Sequence, residues 1–411
     1  MIQALRGMKD IIDDGYLYKH IIKTCENVAL NFGYTFIETP KLEETSLFRR
    51  SVGESSDIVG KEMYEFLDKS GTSVCLRPEG TAGVVRAFIE HKFDRAGGVR
   101  RYFYHGSMFR YERPQKGRLR EFHQFGIECF GEESVYEDAS VILIGAEILR
   151  RLGVKSTLKI NSLGDSECMP KYRQKLVNFL NDIKSGLCDD CVRRIETNPI
   201  RVLDCKNEHC QNLLKTAPLI TENLNDVCEA EFKKLGEILK SNGINFEVDP
   251  KLVRGLDYYC KTAFEFVSDE IGSQSAVLGG GRYDKLVEYL GGKPTYGVGF
   301  ALGVERLMEI IKTKEFKNPR DGIYLCALDD KFIDEIYSLG LKLRKNFKVE
   351  ISYEAKNPAK HLKSADNLNA EIFLCIGEEE HKNGEIWYKN LTTSSDKKIK
   401  IKELKEVLDV K

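Results

Sequence analysis

Met108-Phe109-Arg110-Tyr111-Glu112-Arg113-Pro114-Gln115-Lys116-Gly117 is an apolar run that breaks into a basic turn containing Pro and Gly. Arg118, Phe122, His123-Gln124-Phe125-Gly126 and Glu128 follow. A strand, a basic turn and a returning strand make a hairpin with its arginines at one end. Arginine suits phosphate there, because its planar fork donates paired hydrogen bonds and stays charged. From Arg95 to Arg120 there are eight basic residues and one acidic residue, Glu112. Taken alone, the run is equally a solvated basic face or a set of structural salt bridges.

Outward from this hairpin, residues 16–32 carry Tyr16, Ile21, Ile22, Cys25, Val28, Ala29 and Phe32 near helical spacing, and Gly33 stops the helix. Residues 34–38 alternate like a strand. Strands are also predicted at 72–77, 101–110 and 122–130, and a strongly apolar helix at 135–152. Antiparallel strands mixed with helices indicate an α+β fold rather than repeated βαβ units. Residues 166–245 are helical in pattern and rich in Lys, Asn and Cys. Strand character returns at 246–268 and 271–282, and 295–312 runs from a Gly-rich strand into a helix. After Asn318-Pro319-Arg320-Asp321-Gly322, strands at 323–328, 348–353 and 371–376 alternate with helices at 331–345 and 358–367. That alternation predicts a small α/β domain with a mainly parallel sheet. The expected domains are 1–165 with 246–318, an insertion at 166–245, and 322–411.

The 411 residues suffice for two or three domains, each with its own core. A 42% hydrophobic and 31% charged composition is that of a globular enzyme. No run approaches the length of a membrane span, and the N-terminus has no secretory pattern, so a cytoplasmic location is expected. The net charge of −1 points to no nucleic-acid partner by itself; only a local patch can do so.

Gly297-Val298-Gly299-Phe300-Ala301-Leu302-Gly303-Val304-Glu305-Arg306-Leu307 joins a small-residue strand to a helix bearing an arginine. Its glycines permit close backbone approach, as an adenine lying against the sheet requires. With the hairpin, it resembles motifs 2 and 3 of class II aminoacyl-tRNA synthetases. Gly33-Tyr34-Thr35-Phe36-Ile37-Glu38-Thr39-Pro40 resembles motif 1, the dimer-forming element. Arg77-Pro78-Glu79-Gly80-Thr81, Leu252-Val253-Arg254-Gly255-Leu256-Asp257-Tyr258-Tyr259 and Leu278-Gly279-Gly280-Gly281-Arg282-Tyr283-Asp284 are similar to stretches specific to the histidyl-tRNA synthetase family.

The resemblance implies a class II synthetase-type antiparallel sheet with flanking helices, a helical insertion and a C-terminal anticodon-binding α/β domain. It implies activation of histidine with ATP and Mg²⁺, and transfer to histidine tRNA by a homodimer. Arg110 and Arg254 are the expected catalytic residues, offsetting charge on the α-phosphate from opposite sides. Arg306 is expected at the γ-phosphate, so that ATP is held by Arg110, Arg254 and Arg306. Glu79, Thr81 and Gln124 offer acceptors for the histidine ammonium. Glu128 and Tyr259 offer partners for the imidazole nitrogens, with Tyr258 beside them. Arg113 and Gln115 are expected to meet the tRNA acceptor end, where guanine presents two acceptors. Over 322–411 the 16 basic and 16 acidic residues cancel, so an RNA face there requires segregated charge.

A non-catalytic, histidine-binding regulatory relative would be expected to lose part of the arginine set and the C-terminal domain; both are present here. A synthetase for another amino acid, such as proline or threonine, is disfavoured by the 123–128 and 254–259 stretches. Among the 12 cysteines, Cys188-x2-Cys191 and Cys205-x4-Cys210 approach zinc-ligand spacing, but the second pair is wide and ordinary reduced thiols are the favoured reading.

Overall fold

The computed structural model describes residues 2–409 except Glu54, Ser55, Asp57, Lys116, Lys206, Arg254, Gly255, Asp257, Ser275, Glu315 and Lys317, and of Ser273 and Gln274 the backbone only. Two compact units divide the chain, Met1–Phe316 and Lys317–Lys411.

Among the described residues, the first unit is built on an eight-stranded sheet. Its order across the sheet is Thr35–Phe36, Arg100–Phe109, Glu121–Phe130, Gly297–Gly303, Ala276–Arg282, Cys260–Val267, Thr157–Ser162 and Phe246–Val248. The inner pairings are antiparallel, and the two outermost are parallel. The chain is thus a mixed fold with a central antiparallel-rich sheet and flanking helices, the α+β arrangement expected from the alternation of patterns.

Helix Gly15–Asn31 covers one face with Leu17, Ile21, Ile22, Cys25, Val28 and Ala29. Tyr16 and Phe32 were expected on that stripe but are 42% and 39% exposed, because they fall at the helix start and just past its end. Helix Val135–Arg151 contributes Val141, Ile142, Ile144 and Ile148 to the same core. Ser134 caps it by accepting from the Tyr136 N–H at 3.3 Å, and Glu137 and Asp138 lie in its first turn, where the helix dipole favours negative charge. Asp138 takes the guanidinium of Arg282, the last residue of the strand Ala276–Arg282. Both side chains are 2% exposed, and Arg282 Nη2 stands 2.5 Å from Asp138 Oδ2. This pair ties sheet to helix at the site where a lone charge would be costly.

Residues 168–217 pack a separate small core around Tyr172, Leu176, Leu180, Cys191, Val202 and Leu214. Helix Asp226–Ser241 instead places Leu235, Ile238 and Leu239 in the main core.

The second unit holds a five-stranded sheet among the described residues, in the order Val349–Ile351, Ile323–Ala327, Ile372–Ile376, Glu385–Asn390, Asp396–Lys400. The first two pairings are parallel and the last two antiparallel, so the sheet is mixed, not mainly parallel. The final hairpin escaped the sequence reading because its buried Ile386, Tyr388 and Ile399 are flanked by Glu385, Lys389, Lys398 and Lys400, which mask the strand pattern. Helices Ile333–Leu343 and Leu404–Asp409 pack one face and Pro358–Asn367 the other. No helix among the described residues is long and apolar enough to cross a membrane.

Candidate active site

The strands Arg100–Phe109 and Glu121–Phe130 form the predicted hairpin, in register from Arg100↔Phe130 to Phe109↔Glu121. Its turn closes by reciprocal backbone hydrogen bonds between Gln115 and Arg118, at 3.1 and 2.9 Å. The hairpin's second strand pairs with Gly297–Gly303, which sets Gln124 opposite Gly303 and Glu128 opposite Gly299. Above these strands lies a cavity of about 220 Å³. Glu79, Thr81, Arg110, Gln124, Tyr258, Tyr259 and Arg306 all line it. Residues far apart in sequence are gathered there because the hairpin, the Gly-rich strand and the helix Thr81–Glu90 meet at one end of the sheet.

Arg110 donates from Nε to the Pro78 carbonyl at 2.9 Å, and its guanidinium lies 5.2 Å from the Phe122 ring centre. Arg306 donates from Nε to the Gly117 carbonyl at 3.3 Å and from Nη1 to the Ala276 carbonyl at 2.5 Å. Burial, with Arg118 and Arg110 nearby, lowers the Arg306 pKa from its ordinary value. A concentration of positive charge is therefore held at a partly desolvated place, as an anionic ligand requires. Glu112 tempers it: its carboxylate is 3.0 Å from Arg118 and 3.9 Å from Arg110. Arg254 was expected opposite Arg110 but lies outside the described residues.

The other end of the cavity is polar. Glu79 accepts from the backbone N–H groups of Thr81 and Ala82 at 2.6 and 2.9 Å, and burial pushes its pKa up. Gln124 Oε1 and the Tyr258 hydroxyl are buried with no hydrogen-bond partner among the described residues. Such atoms cost free energy unless a ligand meets them. The Tyr258 and Tyr259 rings lie 4.7 Å apart.

Glu128 is not among the side chains lining the cavity. It lies behind Thr81, 1% exposed, and accepts from Thr81 Oγ1 at 2.7 Å, from the Tyr104 hydroxyl at 3.2 Å and from the Tyr283 hydroxyl. Burial raises its pKa to about 8, against the pull of those three hydroxyls. The close approach that the strand glycines permit is used by these groups: a Cβ on Gly299 would meet Glu128 Oε2 at 2.0 Å, and one on Gly126 would meet the Tyr104 ring at 2.3 Å. The glycines thus make room for protein side chains, a use that the reading of them as an adenine platform did not include.

Sequence reasoning missed Tyr104, Tyr283 and Glu305. Glu305 accepts from the His123 backbone N–H at 2.9 Å and stands 2.7 Å from His123 Nδ1, so the helix Val304–Lys312 fixes the strand residue before Gln124. Their signal was present, since Tyr283 and Glu305 fall within the quoted motifs, but their partners are 155 and 182 residues away. Arg113 and Gln115 are exposed at the hairpin turn and do not line the cavity.

Residues 14–307 match the family model described as histidyl-tRNA synthetase, and residues 321–411 match an anticodon binding domain. The histidine–tRNA ligase of Campylobacter fetus subsp. fetus is 72% identical over 405 residues, covering 98% of this chain and 99% of that protein. That of Campylobacter hominis is also 72% identical, over 99% of this chain and 100% of that protein. The crystal structure of apo S. aureus histidyl-tRNA synthetase superposes with a TM-score of 0.81 at 34% identity, covering 99% of each chain.

Proposed function

The chain belongs to the histidyl-tRNA synthetase family, a class II aminoacyl-tRNA synthetase family, and from that premise we propose a role for each side chain around the cavity. The enzyme activates histidine with ATP and transfers it to histidine tRNA. In the first half-reaction a carboxylate oxygen of histidine attacks the α-phosphorus of ATP, the bond to the bridging oxygen of the β-phosphate breaks, and pyrophosphate leaves. Positioning and charge compensation are what this displacement needs from the protein.

Arg110 binds the α-phosphate and the attacking carboxylate, and Arg306 binds the γ-phosphate. Their separate backbone anchors, Pro78 for one and Gly117 with Ala276 for the other, support this division. Arg254 is assigned the far side of the α-phosphate by family resemblance. Glu112 and Glu265 both line the cavity, and their carboxylates are the oxygen donors that would hold Mg²⁺ arriving with the nucleotide. Bound there, Mg²⁺ would supply positive charge against the pyrophosphate portion.

Glu79, Thr81 and Gln124 receive the ammonium group of histidine. The imidazole is matched by Tyr258 and Tyr259 at the cavity surface and by Glu128 behind Thr81. The observation that carries this assignment is the pair of partnerless buried atoms, Gln124 Oε1 and the Tyr258 hydroxyl, on residues that line the same cavity as Arg110 and Arg306. A pocket built on such atoms rejects substrates that leave them unpaired. In the second half-reaction a ribose hydroxyl at the 3′ end of the tRNA attacks the histidyl carbonyl and AMP leaves. Arg113 and Gln115, exposed on the hairpin turn, contact the acceptor end.

The proposed division of labour is a catalytic domain at 1–165 and 246–318, an insertion at 166–245 and an anticodon-binding domain at 322–411. Cytoplasmic location and a homodimer complete the proposal. Phe36 on the sheet's edge strand is 50% exposed and Leu30 on the neighbouring helix 56%, apolar area that fits a second copy.

The test is pyrophosphate exchange into ATP with each amino acid in turn. Exchange is expected with histidine alone, and with Arg254→Ala it is expected to vanish while histidine still binds. Exchange supported by another amino acid, or unimpaired exchange in Arg254→Ala or Arg110→Ala, would overturn the assignment.

A further inference from the structure

We propose that Cys188, Cys191, Cys205 and Cys210 form a structural tetrahedral zinc site within residues 168–217. Their four sulfurs all lie within 4.8 Å of one another, and Cys188 Sγ is 3.9 Å from Cys205 Sγ. Four thiolates each ~2.3 Å from one zinc ion occupy tetrahedral corners ~3.8 Å apart. The cluster therefore has the size of a zinc-thiolate tetrahedron before any ion is added. A disulfide requires ~2.0 Å between sulfurs, and the twelve cysteines are all free thiols.

The spacing that looked too wide in sequence is explained by local structure. Cys188 is the residue before helix Asp189–Thr197, and Cys191 sits in that helix's first turn. Cys205 precedes helix Glu208–Leu213, and Cys210 lies within it. The four residues between the second pair include Asn207, which caps its helix by accepting from the His209 and Cys210 N–H groups at 2.9 and 3.2 Å. That cap carries the chain around the cluster, so the extra length is taken up by the helix start. His209 points to solvent and is not a fifth candidate.

Two backbone donors already face the sulfurs. The Cys188 N–H lies 3.2 Å from Cys210 Sγ, and the Asn207 N–H lies 3.4 Å from Cys205 Sγ. Amides directed at sulfur stabilise thiolate over thiol, as outer-shell groups around zinc do. Cys191, Cys205 and Cys210 are buried, while Cys188 is half-buried and leaves an entry path.

The energetics supply a reason for the ion. Helices of nine and six residues are too short to be stable alone. A metal that binds only the folded arrangement contributes its binding free energy to folding. A second group, Asp165, Cys168 and Cys228, also brings its ligand atoms together. There the Asp165 carboxylate is already satisfied by the Glu167 and Cys168 N–H groups and by Asn225, so it serves as a control.

The experiment uses the full chain, purified with reductant and no added metal. Elemental analysis is expected to find about one zinc per chain. Exchange with cobalt(II) is expected to give the sulfur-to-metal charge transfer and intense visible bands of a tetrahedral thiolate site. A strong chelator is expected to raise the number of reactive thiols by four and to lower the Tm. Cys205→Ser is expected to lose the zinc, and Cys168→Ser to retain it. Should Cys205→Ser be insoluble, the metal content and cobalt spectrum of the unaltered chain decide. Zinc far below one per chain with no cobalt charge transfer, iron bound in a coloured cluster, or full zinc retention in soluble Cys205→Ser would each overturn the proposal.

Discussion

The hydroxyl of Thr81 stands 2.7 Å from Oε1 of Glu128 and at the same time forms part of the cavity wall. It is the link between a carboxyl that no solvent reaches and the space assigned to histidine. Thr81→Val keeps the shape and deletes the bond. It leaves Glu128 with the hydroxyls of Tyr104 and Tyr283 and removes a polar contact from the pocket. One buried hydrogen bond lost is worth ~1–3 kcal/mol, or roughly 5- to 150-fold. The KM for histidine in pyrophosphate exchange should rise by that factor with the KM for ATP within twofold. An equal rise in both would show that Thr81 acts on the fold rather than on the amino-acid pocket.

The same carboxyl makes stability depend on pH. Burial raises the Glu128 pKa from 4.5 to about 8, so between those values the folded chain binds more protons than the unfolded chain. Stability from this group is therefore highest below the unfolded pKa and falls as pH rises through 4.5 to about 8, at up to ~1.4 kcal/mol per pH unit. Glu128→Gln removes the titration. Urea midpoints of the original chain should fall across this window by more than those of Glu128→Gln. Parallel curves would mean that Glu128 ionises at an ordinary carboxylate pH.

Much of this cavity was legible because its parts are chemically distinctive. Arg110 sits beside a basic turn, Gln124 on the returning strand, and Arg306 after a strand of small residues, and all three reach the cavity. What escaped was pairing at long range. Tyr104 looks like any apolar strand residue until Gly126, opposite it on the neighbouring strand, leaves the space that its ring occupies. Glu305 looks like an exposed first-turn helix residue until His123 is folded against it. The hairpin Glu385–Lys400 was hidden by the charges on its outer face. Arg254, assigned with Arg110 to the α-phosphate by family resemblance, lies outside the described residues.

Gly299 and Gly303 lie on one strand yet should respond differently to alanine. At Gly299 the added carbon would lie 2.0 Å from Glu128 Oε2 and 2.3 Å from the Ile127 carbonyl, with backbone on one side and a pinned carboxyl on the other. At Gly303 the nearest atom is Arg306 Cδ at 3.5 Å, an ordinary contact. Gly299→Ala should therefore destabilise by ~2 kcal/mol or more, the range for overpacking a tight interior. Gly303→Ala should stay within ~1 kcal/mol. Urea unfolding of both variants checks the contrast, and equal losses would refute the assignment of the strand's glycines to the packing of Glu128.

Arg306 offers the cleanest separation of nucleotide binding from amino-acid binding. Its guanidinium is held by the carbonyls of Gly117 and Ala276, one from the hairpin turn and one from the neighbouring strand. These neutral acceptors orient the group without cancelling its charge, and the nearby Arg110 and Arg118 disfavour that charge until an anion arrives. A triphosphate therefore gains both a charge-assisted hydrogen bond and relief of repulsion among arginines. Arg306→Lys keeps a positive charge but cannot bridge both carbonyls and a phosphate with one planar fork. A loss of ~1.5–3 kcal/mol, roughly 10- to 150-fold, is expected in the KM for ATP. Histidine binding measured calorimetrically without nucleotide should change by less than twofold, because Arg306 has no place in the amino-acid end of the cavity. An unchanged KM for ATP would remove Arg306 from the nucleotide site, whereas weakened histidine binding would show that the two ends of the cavity are mechanically coupled through the hairpin turn.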